Sequence, residues 1–221
     1  MTTESRIQQA MMRLLLRQGF DKTTTQDIAN EANVARSTIY TKWKTKEEIV
    51  EHLLWQQAVA YLDAWYLLVQ RDPKGGSFAG IYKNALLAVQ QNPFINALYS
   101  QNNFVLGNFV NHERFTTLLS ERLTWNKRLL SMMQDAGLIR GEVDVETSAW
   151  VALVFRQGML TTPINDIGQG QANYEGILDL FVTMLHQFAA VSIDHSNEVG
   201  KEMLKRYIDE LKAQLSPNIS G

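Results

Sequence analysis

Apolar side chains recur three and four residues apart along nearly the whole chain, and only four prolines interrupt 221 residues. That spacing marks one face of a 3.6-residue helix, whereas a half-buried strand alternates at every second residue. An all-α chain follows, long enough to bury a full core and to divide into two domains. The first stripe is Ile7, Ala10, Met11, Leu14 and Leu15. It stops before Gly19, a residue type that helix C-termini favour. Thr24 with Asp27 three residues on has the form of a capping box, opening a short second helix whose apolar residues are Ile28, Ala29 and Ala32. Asn33 then tolerates the left-handed conformation of a tight turn, and Val34 can plug it. A third short helix is expected from about Arg36 to Trp43, with Ile39 and Trp43 inward at i, i+4. Thr45 is expected to cap a long fourth helix that ends near Gln70, ahead of the turn Asp72-Pro73-Lys74-Gly75-Gly76. Further helices are predicted near 77–91, 93–101, 113–136, 146–163, 174–193 and 197–215, with breaks at Asn92-Pro93, Gly137 to Asp144 and Pro163 to Asn173.

Net charge is −2, so no global excess points to a polyanion, but the distribution is uneven. Residues 1–50 hold eight basic and six acidic side chains, against thirteen and seventeen in the remainder, and Asn33 to Lys46 carries four cations with no acid. A basic island on an acidic protein is the local footprint of a phosphate-binding surface. The absence of cysteine excludes disulfide scaffolds, thiolate metal sites and thiol nucleophiles. No apolar run approaches the roughly 20 residues of a membrane-spanning helix. The start MTTESRIQQAMM lacks the basic-then-apolar layout of a signal peptide. A cytoplasmic protein without a membrane partner is expected.

The segment Thr24 to Lys46 reads as helix, tight turn, helix, then a capped third helix. In a helix-turn-helix the first helix braces against the nucleic-acid backbone while the second lies in the major groove. With Ile39 and Trp43 inward, the second helix presents Arg36, Ser37, Thr38, Tyr40, Thr41 and Lys42. Arginine can grip guanine bidentately, and hydroxyls can meet a base edge or a phosphate. Lys44 and Lys46 flank the next helix start, where free N–H groups already attract anions.

Gly19-Phe20, Thr23-Thr24-Thr25, Asp27-Ile28-Ala29, Ala32-Asn33-Val34, Ser37-Thr38-Ile39-Tyr40, Trp43 and Lys46-Glu47-Glu48-Ile49 follow in order and spacing the N-terminal signature of the TetR family of bacterial transcriptional regulators, which the chain resembles over about residues 5–54. Asn33 stands where the family usually has glycine, and Trp43 where it usually has phenylalanine. The resemblance implies a helix-turn-helix DNA-binding domain at 1–50 and a helical bundle for ligand binding and dimerisation at 51–221. It assigns Thr25 and Gln26 to phosphate and base contacts, and Arg36, Ser37, Thr38 and Thr41 to base-facing positions. Tyr40 and Lys46 become phosphate clamps, and Lys42 a backbone or base contact. Ala136-Gly137-Leu138-Ile139-Arg140, Asp144-Val145-Glu146 and Gln157-Gly158 are similar to later family features.

The same resemblance implies a pocket for a small apolar or amphipathic inducer. Its candidate walls are Trp65, Tyr66, Phe104, Phe109, Trp125, Met133, Trp150, Phe155 and Met159, and the asparagine-rich segment Gln101 to His112 is a candidate gate. It also implies a dimer interface on the helices at 146–163 and 174–193, with Leu178, Phe181, Val182, Leu185 and Phe188 as candidates. A dimer fits physically, because two-fold proteins read palindromic sites. No nucleophile–base–orienter set is legible, and His52, His112, His186 and His195 lack metal-ligand spacing. Glu48 and His52 read as a surface pair. Gly168-Gln169-Gly170 follows no strand and precedes no lysine, so it is not a phosphate loop. Neither catalysis nor a cofactor or metal is expected. The function read from the sequence is a ligand-responsive DNA-binding regulator, a homodimeric repressor released from a palindromic operator. An interaction or chromosome-organising protein without an inducer, and an all-α ligand carrier, stay open as alternatives.

Overall fold

The computed structural model describes residues 2–162, 174–189 and 196–215. The described residues are helical, with no strand among them. Helix α1 (Thr3–Gln18) starts at Thr2, whose hydroxyl accepts from the Ser5 N–H at 3.1 Å, and buries Ile7, Ala10, Met11, Leu14 and Leu15. Helix α2 (Thr25–Ala32) has the reciprocal capping box: the Thr24 hydroxyl accepts from Asp27 N–H at 3.1 Å, and the Asp27 carboxylate accepts from Thr24 N–H at 2.9 Å. Asn33 takes the left-handed turn at φ 52°, ψ 56°, and the Val34 N–H returns to the Ala29 carbonyl. Asparagine visits this region at little cost, so the turn forms without glycine.

Helix α3 is shorter than expected, Arg36–Tyr40 rather than Arg36 to Trp43. The last turn tightens because the Thr41 hydroxyl donates to the Thr38 carbonyl at 2.7 Å and the Lys42 N–H reaches Ile39. Helix α4 (Lys46–Arg71) begins at Thr45, whose hydroxyl accepts from Glu48 N–H, and runs 26 residues to the expected turn. Helices α5 (Phe78–Gln91) and α6 (Pro93–Tyr99) follow; Pro93 needs no N–H at a helix start, and Asn92 accepts from Phe94 and Ile95. Helices α8 (Glu113–Asp135), α9 (Val145–Thr161), α10 (Tyr174–Ala189) and α11 (Ser196–Leu215) complete the bundle, after a short α7 (Asn103–Leu106) and a 3₁₀ turn, Gly107–Asn111.

The segment proposed as a gate takes a different part. Gln101 to His112 folds as α7 and the 3₁₀ turn, burying Val105, Leu106 and Phe109 against the N-terminal helices. The Phe20 N–H donates to the Val105 carbonyl at 3.0 Å, and Asp21 accepts from the Asn108 N–H at 3.0 Å. Two glycines make this seam possible. Gly19 sits at φ 80°, ψ 166°, a region open essentially to glycine alone, and a Cβ there would lie 2.1 Å from the Phe104 carbonyl oxygen. Gly107, at φ 48°, faces the Asp21 carboxylate at 2.5 Å from any added Cβ. Most buried apolar residues form one cluster that continues from Ile7 to Leu215 through α4, and Leu86, Met159 and Leu178 form a small second one. Helix α4 thus runs from the helix-turn-helix into the bundle as one unbroken helix.

Candidate functional sites: a nucleic-acid interface and an internal pocket

The first site is the outward face of α3. Ile39 and Trp43 are almost fully buried, and this anchors the helix so that Arg36, Ser37, Tyr40, Thr41 and Lys42 are exposed and Thr38 half-buried. Trp43 fills the space beneath α4 and donates its indole N–H to Nδ1 of His52 at 3.2 Å. His52 therefore serves the core rather than forming the expected surface pair with Glu48, whose carboxylate accepts instead from the Lys44 N–H. Arg36 donates from Nε and Nη2 to the Tyr40 hydroxyl at 3.2 and 2.8 Å. That guanidinium, with Thr25 assisting from the start of α2, holds the Tyr40 hydroxyl below the usual tyrosine range. Lys42 pairs with Glu4 at 2.7 Å, and Gln26 lies exposed with its amide on Asn30. The salt bridges of Arg13 and Arg17 to Glu31 tie α1 to α2.

Lys46 is turned inward. Its ammonium donates to the carbonyls of Phe20 and Thr23 at 2.9 and 3.2 Å and lies 3.9 Å from the centre of the Phe20 ring. It ties the loop after α1 to the start of α4.

The second site is a cavity of about 100 Å³ enclosed by α4, α5, α6, α8, α9, α10 and α11. Of the sequence candidates it brings together Trp65, Trp125 and Phe155. Tyr66 packs half-buried against the core beside it, and Met133 is fully buried elsewhere in the core. Phe109 is enclosed by Phe20, His112 and Phe115 near the N-terminal seam. Phe104 is 58% exposed, and Met159 joins a small cluster with Leu86 and Leu178. Trp150 lies on the outer stripe of α9 with Val151 and Val154, while Ala152, Phe155 and Arg156 face the cavity. Helical register separates these residues, and residue type alone could not.

The cavity's polar lining was missed from sequence: Tyr61, Tyr82, Tyr99, Arg122, Asn126, Arg156 and Tyr207. A signal existed, because Arg122 interrupts the apolar stripe Leu118, Trp125, Leu129 at i, i+4, i+7 and i+11 on α8. Three of these seven, and the Trp65 indole beside them, have hydrogen-bond partners within the bundle. Tyr82 donates to Asn126, Asn126 to the Ala149 carbonyl, Tyr207 to the Trp125 carbonyl, and the Trp65 indole to the Ile81 carbonyl, all at 2.7–2.9 Å. Burial pushes the hydroxyls of Tyr61, Tyr82 and Tyr207 well above the usual tyrosine range, so all three are neutral near pH 7.

The dimer candidates are distributed differently from expectation. Leu178 is buried against Leu86 and Met159, and Phe181 stacks on Phe155 in the cavity wall, so both are covered within the chain itself. Val182 and Leu185 are half-buried, and the side chain of Phe188 lies outside the described residues, as do the glycines at 168 and 170 and His195. The exposed apolar surface of these neighbouring helices is instead Trp150, Val151 and Val154 on α9 with Leu180 and Met184 on α10, Val154 at 67% and Leu180 at 63% exposure. No described helix is long and apolar enough to cross a membrane.

Residues 7–53 match the family model of bacterial regulatory proteins, tetR family. The chain is 45% identical over 56 residues to the HTH-type transcriptional regulator YvkB of Bacillus subtilis (strain 168), a match spanning 25% of this chain and 30% of that protein's length. Its fold is similar to the fatty acid degradation regulator FadR of Bacillus halodurans, with a TM-score of 0.63 and 14% identity over 84% of this chain and 95% of that one. It is likewise similar to FadR from Bacillus subtilis, solved in complex with stearoyl-CoA, with a TM-score of 0.61 and 16% identity over 82% and 96%. Such identities establish a shared fold. The sequence match to the tetR family of bacterial regulatory proteins is thus confined to the N-terminal helices, residues 7–53, while the rest of the chain shares with these regulators an all-helical fold.

Proposed function

We propose that the chain is a homodimeric, sequence-specific DNA-binding transcriptional regulator, a repressor released from a palindromic operator by a small molecule held in the bundle. Residues 1–50 read DNA, and residues 51–221 hold the ligand and dimerise. The observation that carries this reading is the outward face of α3, where Arg36, Ser37, Thr38, Tyr40, Thr41 and Lys42 stand on a buried Ile39–Trp43 anchor with no acid among them. Tyr40 and Arg36 are pre-paired, so the tyrosine hydroxyl can meet a phosphate while the remaining guanidinium donors turn to a guanine edge. Thr25 and Gln26 at the start of α2 add backbone contacts. Lys46 contributes by fixing the loop before α2 rather than by gripping phosphate.

One such unit makes few contacts, and a two-fold dimer doubles them. The surface best suited to the partner is Trp150, Val151, Val154, Leu180 and Met184, in place of Leu178 and Phe181, because contiguous exposed apolar area marks an interface. A regulator of the same fold in complex with stearoyl-CoA supports reading the cavity as an inducer site. Ligand entry would shift the α8–α9 wall and, through α4 and the Gly19–Gly107 seam, change the spacing of the two recognition helices.

The test is selection of bound sequences from random double-stranded DNA by the purified protein. A palindromic motif with half-sites about 34 Å apart is the expected result. Salt-sensitive binding that enriches no motif would overturn the operator reading and favour a chromosome-organising role.

A further inference from the structure

The cavity holds two cations and no acid. Arg122 on α8 is 9% exposed, and Arg156 on α9 is half-buried; both face the cavity, and no Asp or Glu is among its lining residues. Arg122 Nε and Arg156 Nε and Nη2 are buried without a hydrogen-bond partner among the described residues. Neither guanidinium forms an ion pair with a described carboxylate. Both cations lie over the ring of Tyr99, which Arg122 and Arg156 approach to 4.8 and 4.7 Å from its centre.

Buried charges are normally paired, because an uncompensated guanidinium in an apolar interior is strongly disfavoured. Cation–π contact with Tyr99 offsets part of that cost and turns both cations toward one place. The surrounding tyrosines supply no countercharge, since burial keeps Tyr61, Tyr82 and Tyr207 neutral. Desolvation, with repulsion by Arg156 added, lowers Arg122 to about 10, which leaves it fully charged near pH 7. An unfilled demand for negative charge therefore sits inside an aromatic cavity.

We propose that the ligand of this cavity is an organic anion, with its carboxylate or phosphate monoester held by Arg122 and Arg156 beside Tyr99 and its apolar body against Trp65, Trp125 and Phe155. Paired guanidiniums suit either acid group, because each offers donors in a planar fork. The occupant completes the polar network that the fold leaves open. This deepens the regulator reading and rests on it only for the consequence of binding, not for binding itself.

The test uses the full-length protein stripped of bound lipid, with octanoate, octyl phosphate and octanol as probes in titration calorimetry. Octanoate or octyl phosphate is expected to bind at least tenfold more tightly than octanol, and whichever is the tighter names the acid group. Arg122→Met with Arg156→Met is expected to remove that preference while octanol binding stays within about twofold. Arg122→Lys, which keeps the charge but loses the fork, is expected to retain part of the preference. Equal affinity for octanol and both acids, or an undiminished preference in the double variant, would overturn the proposal, as would failure of all three probes to bind. DNA binding, measured by anisotropy on the same preparation, separates the two readings. Intact DNA binding with no anion preference defeats this inference alone, and anion preference with no DNA binding at low salt defeats the regulator reading alone.

Discussion

Arginines at the two ends of this molecule meet opposite fates. On α3, Arg36 is exposed, bonded to Tyr40 and bathed in water. In the bundle, Arg122 is buried and Arg156 half-buried, each with donors unmet among the described residues. Charge at the surface is screened within about 8–10 Å by salt, so Arg36 and Lys42 act at little cost to stability and await a polyanion of many phosphates. Charge in the interior is screened far less, so Arg122 and Arg156 cost stability until one compact anion arrives. The first arrangement favours recognition by summed weak contacts, the second by a single strong one.

Four substitutions would break or sharpen that contrast. The largest effect is expected from Val154→Glu, which places an acid on the exposed apolar face of α9. Dimerisation should weaken about 100-fold or more, roughly 2.7 kcal/mol, with DNA affinity falling alongside it; a sedimentation mass near that of a dimer at micromolar concentration would remove this face from the interface. Gly19→Ala comes next, with a cost of about 2–3 kcal/mol from the glycine-only backbone region and the Phe104 carbonyl. Urea denaturation should give a lower midpoint, and a midpoint unchanged from wild type would mean the seam is not built as seen.

Arg122→Met should move stability the other way. Removing an unpaired buried charge while keeping its volume is expected to stabilise the ligand-free protein by about 1 kcal/mol, a rise in Tm of about 2–4 °C. The sign follows from the lowered Arg122 value: a cation that the fold disfavours costs stability below about pH 10, and the cost is relieved as pH rises through that value toward the unfolded one. A fall in Tm would mean the guanidinium has a partner in the folded state. The smallest effect belongs to Lys46→Met, expected to lose about 1 kcal/mol through its two carbonyl bonds with the salt slope of DNA binding unchanged. A slope reduced by about one unit would return Lys46 to phosphate binding.

Much of the fold was legible in local chemistry. The capping box at Thr24–Asp27, the Asn33 turn, the Thr45 cap and the Pro93 start are decided within a few residues, and each forms as the sequence predicts. Helix α3 ends at Tyr40, short of the expected Trp43, because the Thr41 side-chain bond to Thr38 competes with further α-helix. The order of the segment at 101–112 is not legible locally, because it comes from contacts made some 85 residues away in sequence, with Phe20 and Asp21. The cavity was half legible: Trp65, Trp125 and Phe155 were named, but six other apolar candidates lie in core or surface, since any apolar residue satisfies the same periodicity.

The sequence by itself determined the helical architecture, the helix-turn-helix and the face that α3 presents, because caps, turns and one buried anchor pair act over short distances. Only the tertiary structure decided which aromatic side chains meet around a cavity, that Leu178 and Phe181 turn inward while Val154 and Leu180 turn out, and that Lys46 bends back to Phe20. It also decided that Arg122 and Arg156, 34 positions apart, share one tyrosine ring without an acid between them. Burial and charge pairing depend on which helices become neighbours, and that choice belongs to the whole chain's packing rather than to any segment of it.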